Sequence, residues 1–177
     1  MTHGKIEECG SSDLQLLYLD YDGCLHPDDV QFDQQDDARI RGPLGHELFE
    51  CSPQLEQALR PHPDVRIILS TNWVLKHGLT RAAGYLRPAL RERVIGATYE
   101  PGMNAFAFDA APRWMQILND VDLRSPRAWL ALDDDAQGWP PRYADNLVRT
   151  HHIQGLSCRS VFAELVLALR HKFTSQS

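Results

Sequence analysis

The chain has 177 residues and a formal net charge of −6, a length suited to about one domain of roughly 150 residues. Its 43% hydrophobic and 24% charged residues are those of a globular protein and exclude a disordered chain, a coiled coil or a collagen-like rod. The acidic balance argues against non-specific or sequence-specific duplex DNA binding, which needs a basic footprint.

The opening residues, MTHGKIEECGSSD, lack the apolar core of a signal peptide, and no apolar run is long enough to span a membrane. The four cysteines, Cys9, Cys24, Cys51 and Cys158, form no CxxC pair. They predict neither a disulfide framework nor a zinc site, and a reduced, cytoplasmic protein is expected. Residues 1–12 are polar and expected to be a flexible N-terminus, with a single α/β domain over 13–177.

Leu14 to Leu19 is a short apolar run ending abruptly at Asp20, followed by the Asp22-Gly23 turn pair, which predicts a buried strand. Residues 25–45 are polar, and Val30–Phe32 and Ala38–Ile40 alternate weakly, predicting a hairpin around 33–37. Ser52-Pro53 marks a helix start with Ser52 as its cap, running to Leu59. Val65 to Leu69 is a second strand, ending in Ser70-Thr71-Asn72. Trp73 to Leu86 reads as helix with Gly78 as an interruption, and Arg93 to Ala97 as a third strand. Pro112 to Val121 has helical apolar spacing at Trp114, Ile117, Leu118 and Val121. Ala128 to Leu132 is a fourth strand, ending in Asp133-Asp134-Asp135, and Leu147-Val148 a short fifth. Ser157 is expected to cap a last helix burying Val161, Phe162, Leu165, Val166 and Leu169. Trp73, Trp114 and Trp129 read as core, and Trp139 as a residue of a loop after the acidic motif, either a plain rim or a lining of the site's mouth.

Strands alternating with helices predict a three-layer, doubly wound, Rossmann-like and mostly parallel sheet. Ligands in such sheets bind at the carboxyl ends of the strands. Parallel strands bring Asp20 and Asp22, Ser70 to Asn72, and Asp133 and Asp134 to one edge. Carboxylates crowded there raise one another's pKa unless a cation sits among them, and Mg2+ is the hard divalent ion suited to carboxylates, phosphate and water. His151-His152 has no carboxylate at ligand spacing and reads as surface rather than metal site.

These residues resemble the motifs of the haloacid dehalogenase (HAD) superfamily. LYLDYDGCL at 17–25 is similar to its first motif, ILSTN at 68–72 to its second, and LALDDD at 130–135 to its acidic fourth. Arg113 stands where the family places a basic residue, usually Lys; Lys76 is the rival. LDYDGCLHP, STNW, VIGATY and ALDDD resemble, more narrowly, the HAD domains of RNA-repair proteins. The resemblance implies an Mg2+-dependent phosphatase. Asp20 would be the nucleophile and Asp22 the general acid and base. Asp20, the Asp22 carbonyl and Asp134 would hold the metal, and Asp133 would orient the basic residue or a metal-bound water. Gly23 would let the chain turn beside the phosphate. Ser70 or Thr71, with Thr71 favoured because Asn72-Trp73 then opens the helix, Asn72 and Arg113 would bind the phosphoryl group.

The segments 25–70 and 74–112 leave no room for a sizeable cap, only for the 25–45 flap. An open site suits a phosphorylated substrate that is a small metabolite, a nucleotide or a nucleic-acid end, and a homo-oligomer is compatible with it. The acidic flap opposes a polyanion unless Arg39, Arg41, Arg81 or Arg87 lies on its path. The competing readings are a receiver-like phospho-acceptor module, which would carry its acceptor on a later strand and lack DxDGxL, and a non-catalytic HAD-like binding module.

Overall fold

The computed structural model describes residues 12–34, 38–42 and 44–173. The expected flexible N-terminus at 1–12 lies outside these, apart from the backbone of Ser12, as do Asp36 and Asp37 of the expected hairpin turn. The elements run β1 (Ser12–Leu19), β2 (Val30–Phe32), β3 (Ala38–Ile40), α1 (Ser52–Leu59), β4 (Val65–Leu69), α2 (Asn72–His77), α3 (Leu79–Gly84), α4 (Pro88–Arg91), β5 (Val94–Ala97), α5 (Ala105–Ala110), α6 (Arg113–Arg124) and β6 (Pro126–Asp133). A 3-10 helix (Pro141–Asn146), β7 (Leu147–Arg149) and α7 (Arg159–Phe173) complete the described chain.

Five strands form one parallel sheet in the order β5-β4-β1-β6-β7. The chain winds outward from β1 in one direction and then in the other, so the order reverses beside β1, between β1 and β6. That reversal opens the crevice in which doubly wound folds bind ligands. Alternation along β1 divides the core. Leu17 and Leu19 join one buried cluster with Leu55 and Leu59 of α1, Trp73 of α2, and Leu165 and Leu169 of α7. Leu16 and Tyr18 face the other way, against Ile117 of α6 and Trp129 and Ala131 of β6. Successive strand side chains point to opposite faces, so this one strand requires covering layers on both sides, and the expected three-layer architecture is present.

β2 and β3 form the expected antiparallel hairpin, and among the described residues no larger cap is inserted between β1 and α1. No described helix is long and apolar enough to cross a membrane. Cys24, Cys51 and Cys158 are free thiols.

Local details differ from expectation. The cap position of α1 is Cys51, with no side-chain capping bond, and Ser52 is its first residue, its buried hydroxyl without a hydrogen bond. α7 starts at Arg159, and the Ser157 hydroxyl donates to the Gln154 carbonyl instead. Trp114 is half-buried rather than core, its indole packed where Gly138 leaves room. Trp139 packs against Trp129 in the second cluster, and its indole donates to the Tyr143 carbonyl. It is part of the core's edge.

Candidate active site

Register places the site. Leu19 pairs with Leu69 on one side and Leu132 on the other, so the next residues, Asp20, Ser70 and Asp133, lie side by side at the carboxyl ends of three adjacent strands. The backbone continues the ladder one rung further: Ser70 N–H donates to the Leu19 carbonyl at 2.8 Å, Asp20 N–H to Leu132 at 3.1 Å and Thr150 N–H to Asp133 at 3.0 Å. These polar residues thus stand on backbone held by the sheet's own hydrogen bonds.

One oxygen from each of Asp20, Asp133 and Asp134 lies within 4.8 Å of the others. Asp20 and Asp133 are buried and Asp134 half-buried. Tyr21 N–H donates to Asp20 Oδ1 at 2.7 Å and Asp135 N–H to Asp133 Oδ1 at 3.0 Å, while Asp133 Oδ2 is buried without a hydrogen bond. Burial, with repulsion from Asp22 and Asp134, pushes the Asp20 pKa up to about 7 despite Arg113. Burial, then Asp20, raises that of Asp133, and burial, then Asp28 of the flap, raises that of Asp134. Three crowded carboxylates, all oxygen donors, fit a hard cation. Gly23 makes room for them. Its φ is +70°, and a Cβ there would lie 2.5 Å from the Asp134 carboxyl group.

Arg113, the first residue of α6, reaches across this cluster. Its guanidinium lies 3.7 Å from Asp20 Oδ2 and 3.4 Å from Asp133 Oδ2, and donates to Gln116 Oε1 at 2.9 Å and Asn72 Oδ1 at 3.5 Å. Burial opposes its charge, but Asp20, Asp133 and Asp135 outweigh this and raise its pKa. Lys76 instead lies over the Phe32 ring of the flap, 3.6 Å from its centroid. At the end of β4, Thr71 Oγ1 accepts from Trp73 N–H and caps α2, whereas the buried Ser70 hydroxyl has no hydrogen bond.

Asp22 is set apart from the other three carboxylates. The indole N–H of Trp73 donates to its Oδ1 and Oδ2 at 3.1 and 3.0 Å, and His26 Nε2 lies 3.0 Å from Oδ1. Phe49 N–H donates to His26 Nδ1 at 3.2 Å, which places the imidazole proton on Nε2, toward Asp22. Sequence reading missed both donors. Trp73 read as core, which it also is, and His26, though inside the LDYDGCLHP run as Trp73 is inside STNW, was given no role there; its i+4 spacing from Asp22 was the available signal.

Of the arginines considered for a polyanion's path, Arg39 of the flap pairs with Asp33, and Arg87, just before α4, pairs with Glu56 of α1. His151 and His152 stack on each other, and His151 Nδ1 accepts from the backbone N–H groups of Ile153 and Gln154. A cavity of about 580 Å³ between α1 and α7 is lined by Gln15, His62 and Arg170 among others. It lies at the opposite, amino-terminal edge of the sheet and includes none of the strand-end carboxylates.

A family model described as the HAD domain in Swiss Army Knife RNA repair proteins matches residues 16–161. That span takes in Asp20, Ser70, Arg113 and the Asp133-Asp134 pair. No curated protein and no solved structure matches the chain.

Proposed function

Because this chain belongs to the HAD domain family of Swiss Army Knife RNA repair proteins, we propose that it is an Mg2+-dependent phosphomonoester hydrolase working through an aspartyl-phosphate on Asp20. The observation that carries this reading is the Asp20–Asp133–Asp134 cluster facing the Arg113 guanidinium at the end of three parallel strands. Phosphoryl transfer asks mainly for positioning and charge neutralisation around an in-line displacement, and this edge supplies both.

A carboxylate oxygen of Asp20 attacks phosphorus as the bond to the leaving oxygen breaks, and Asp22 gives that oxygen its proton. In the second half-reaction Asp22 takes a proton from water, whose oxygen attacks the aspartyl-phosphate. The acyl-phosphate P–O bond breaks, and phosphate and the Asp20 carboxylate are released. Ser70 is the hydroxyl assigned to a phosphoryl oxygen, since it has no hydrogen bond among the described residues, whereas the Thr71 oxygen is held by the first turn of its helix. Arg113, reaching both Asp20 and the phosphoryl position, neutralises charge, and Asn72 steadies it. Asp20, Asp134 and the Asp22 carbonyl would hold Mg2+, and Asp133, ion-paired with Arg113, orients the guanidinium. Mg2+ would neutralise phosphoryl charge and orient the transferring group.

The open edge suits a phosphate on a small metabolite, a nucleotide or a nucleic-acid end. The test is phosphate release with Mg2+ across nucleotides, sugar phosphates and 3′- and 5′-phosphorylated oligonucleotides. Turnover is expected and should vanish on chelation and in Asp20→Asn. A panel with no turnover would end this reading.

A further inference from the structure

We infer that Trp73 and His26 are positioning residues that hold the Asp22 carboxyl group so that Oδ2 is the oxygen transferring the proton to and from the leaving group. The inference rests on the phosphatase reading above and extends it to two residues to which that reading gives no role.

Asp22 Oδ1 faces two donors, Trp73 Nε1–H and His26 Nε2–H, while Oδ2 shares only the indole proton. Oδ2 therefore keeps a lone pair for a proton that must move. Neither donor can swing away. His26 is fully buried and Trp73 nearly so. The Trp73 ring is packed by Phe32, Tyr85, Phe49 and Tyr21 at centroid distances of 4.9 to 5.7 Å. The His26 ring is fixed by Phe49 twice, through the backbone bond to Nδ1 and through an edge contact at 4.8 Å. Buried indole N–H and imidazole groups normally find a partner. Here both converge on one carboxyl group at the strand end. A rotamer locked by packing and outer hydrogen bonds is what a proton-transferring group requires.

The experiment compares kcat/KM of the Mg2+-loaded chain on p-nitrophenyl phosphate, whose leaving group departs readily as an anion, and on an alkyl phosphate, whose alkoxide needs the proton. Trp73→Phe keeps the ring and removes the donor. His26→Gln keeps a donor where His26→Phe has none. We expect Trp73→Phe and His26→Phe to lose roughly tenfold to a hundredfold more on the alkyl than on the aryl phosphate, with His26→Gln recovering most of the loss. In an Asp22→Asn background, Trp73→Phe should cost nothing further.

Equal losses on both substrates, or a full further loss in Asp22→Asn, would overturn the inference and leave the phosphatase reading standing. If Trp73→Phe does not fold, the two His26 variants decide alone. Nuclear magnetic resonance of the Trp73 indole N–H gives a readout independent of turnover. Asp22→Ala should move it toward the position of a free indole, and an unmoved resonance overturns the contact. A moved resonance in a chain that hydrolyses no phosphoester overturns both readings and reduces the contact to packing.

Discussion

At the scale of single residues, two neighbouring hydroxyls at the end of β4 carry different duties. Thr71 Oγ1 satisfies a backbone N–H that α2 would otherwise leave exposed at its first turn. Ser70 Oγ has no hydrogen-bond partner among the described residues, and a buried unpaired hydroxyl costs free energy until a ligand supplies a partner. The two should therefore separate on mutation. Thr71→Ala is expected to lower stability by about 1 kcal/mol through loss of the cap, seen as a lower Tm. Ser70→Ala should leave Tm level or raised while lowering kcat/KM on any phosphoester that the chain turns over; the reverse pattern would return the phosphate role to Thr71. Gly23 shows the same economy of space. In Gly23→Ala, the added methyl group would collide with the Asp134 carboxyl group in a backbone region unfavourable to L-residues. A destabilisation of roughly 1–3 kcal/mol and a weaker rise of Tm with Mg2+ are expected, both measurable by thermal unfolding with and without the ion.

At the scale of elements, α6 aims Arg113. Gln116, one turn further on, accepts from the guanidinium through Oε1 and donates through Nε2 to the carbonyls of Phe108 and Ala111, tying α5 and its following loop to the site. Gln116→Met keeps the length and removes all three bonds. It is expected to lower kcat/KM by about tenfold, less than Arg113→Ala and with Arg113→Lys in between, as steady-state kinetics would show. This contact also marks where sequence reading runs out. The strands were legible because buried parallel strands are short continuous apolar runs, as in VRIIL and AWLAL, and because each run stops at a polar residue. The strand-end motifs followed from them, whereas Arg113 was marked only by the family resemblance. α5 buries none of its residues and so left no periodic apolar stripe, and α4 is a single turn. Trp73 and His26 act through ring N–H groups whose aim depends on the flap, α2 and α3 packing together. Local spacing marks Trp73 as apolar core, which is only half of what it does.

At the scale of the whole molecule, the net charge of −6 resolves into an edge where acid is concentrated. There Asp20, Asp133 and Asp134 converge and Asp28 of the flap bears on Asp134. Without a cation this concentration opposes folding, and its pH dependence follows from the shifts. Asp20 ordinarily titrates near 3.8 but near 7 in the folded chain, chiefly because it is buried. Between those values the folded state holds a proton that the unfolded state has released, so stability falls as pH rises and levels off above about pH 7. Asp133 and Asp134 are raised too and act in the same direction. His62, whose pKa burial lowers from 6.5, acts oppositely: its folded form holds fewer protons, and stability grows as pH rises. Comparison with Asp20→Asn separates the two, because the variant keeps His62. In chelator, the Tm of the natural chain minus that of Asp20→Asn should fall as pH rises through this window. With Mg2+ the ion replaces those protons, so the rise in Tm that it produces should be largest above about pH 7 and fade toward pH 4. A difference curve that rises with pH in chelator would show that Asp20 is held ionised by Arg113 rather than protonated by burial. The cluster would then be a preformed charged site and not one completed by its cation.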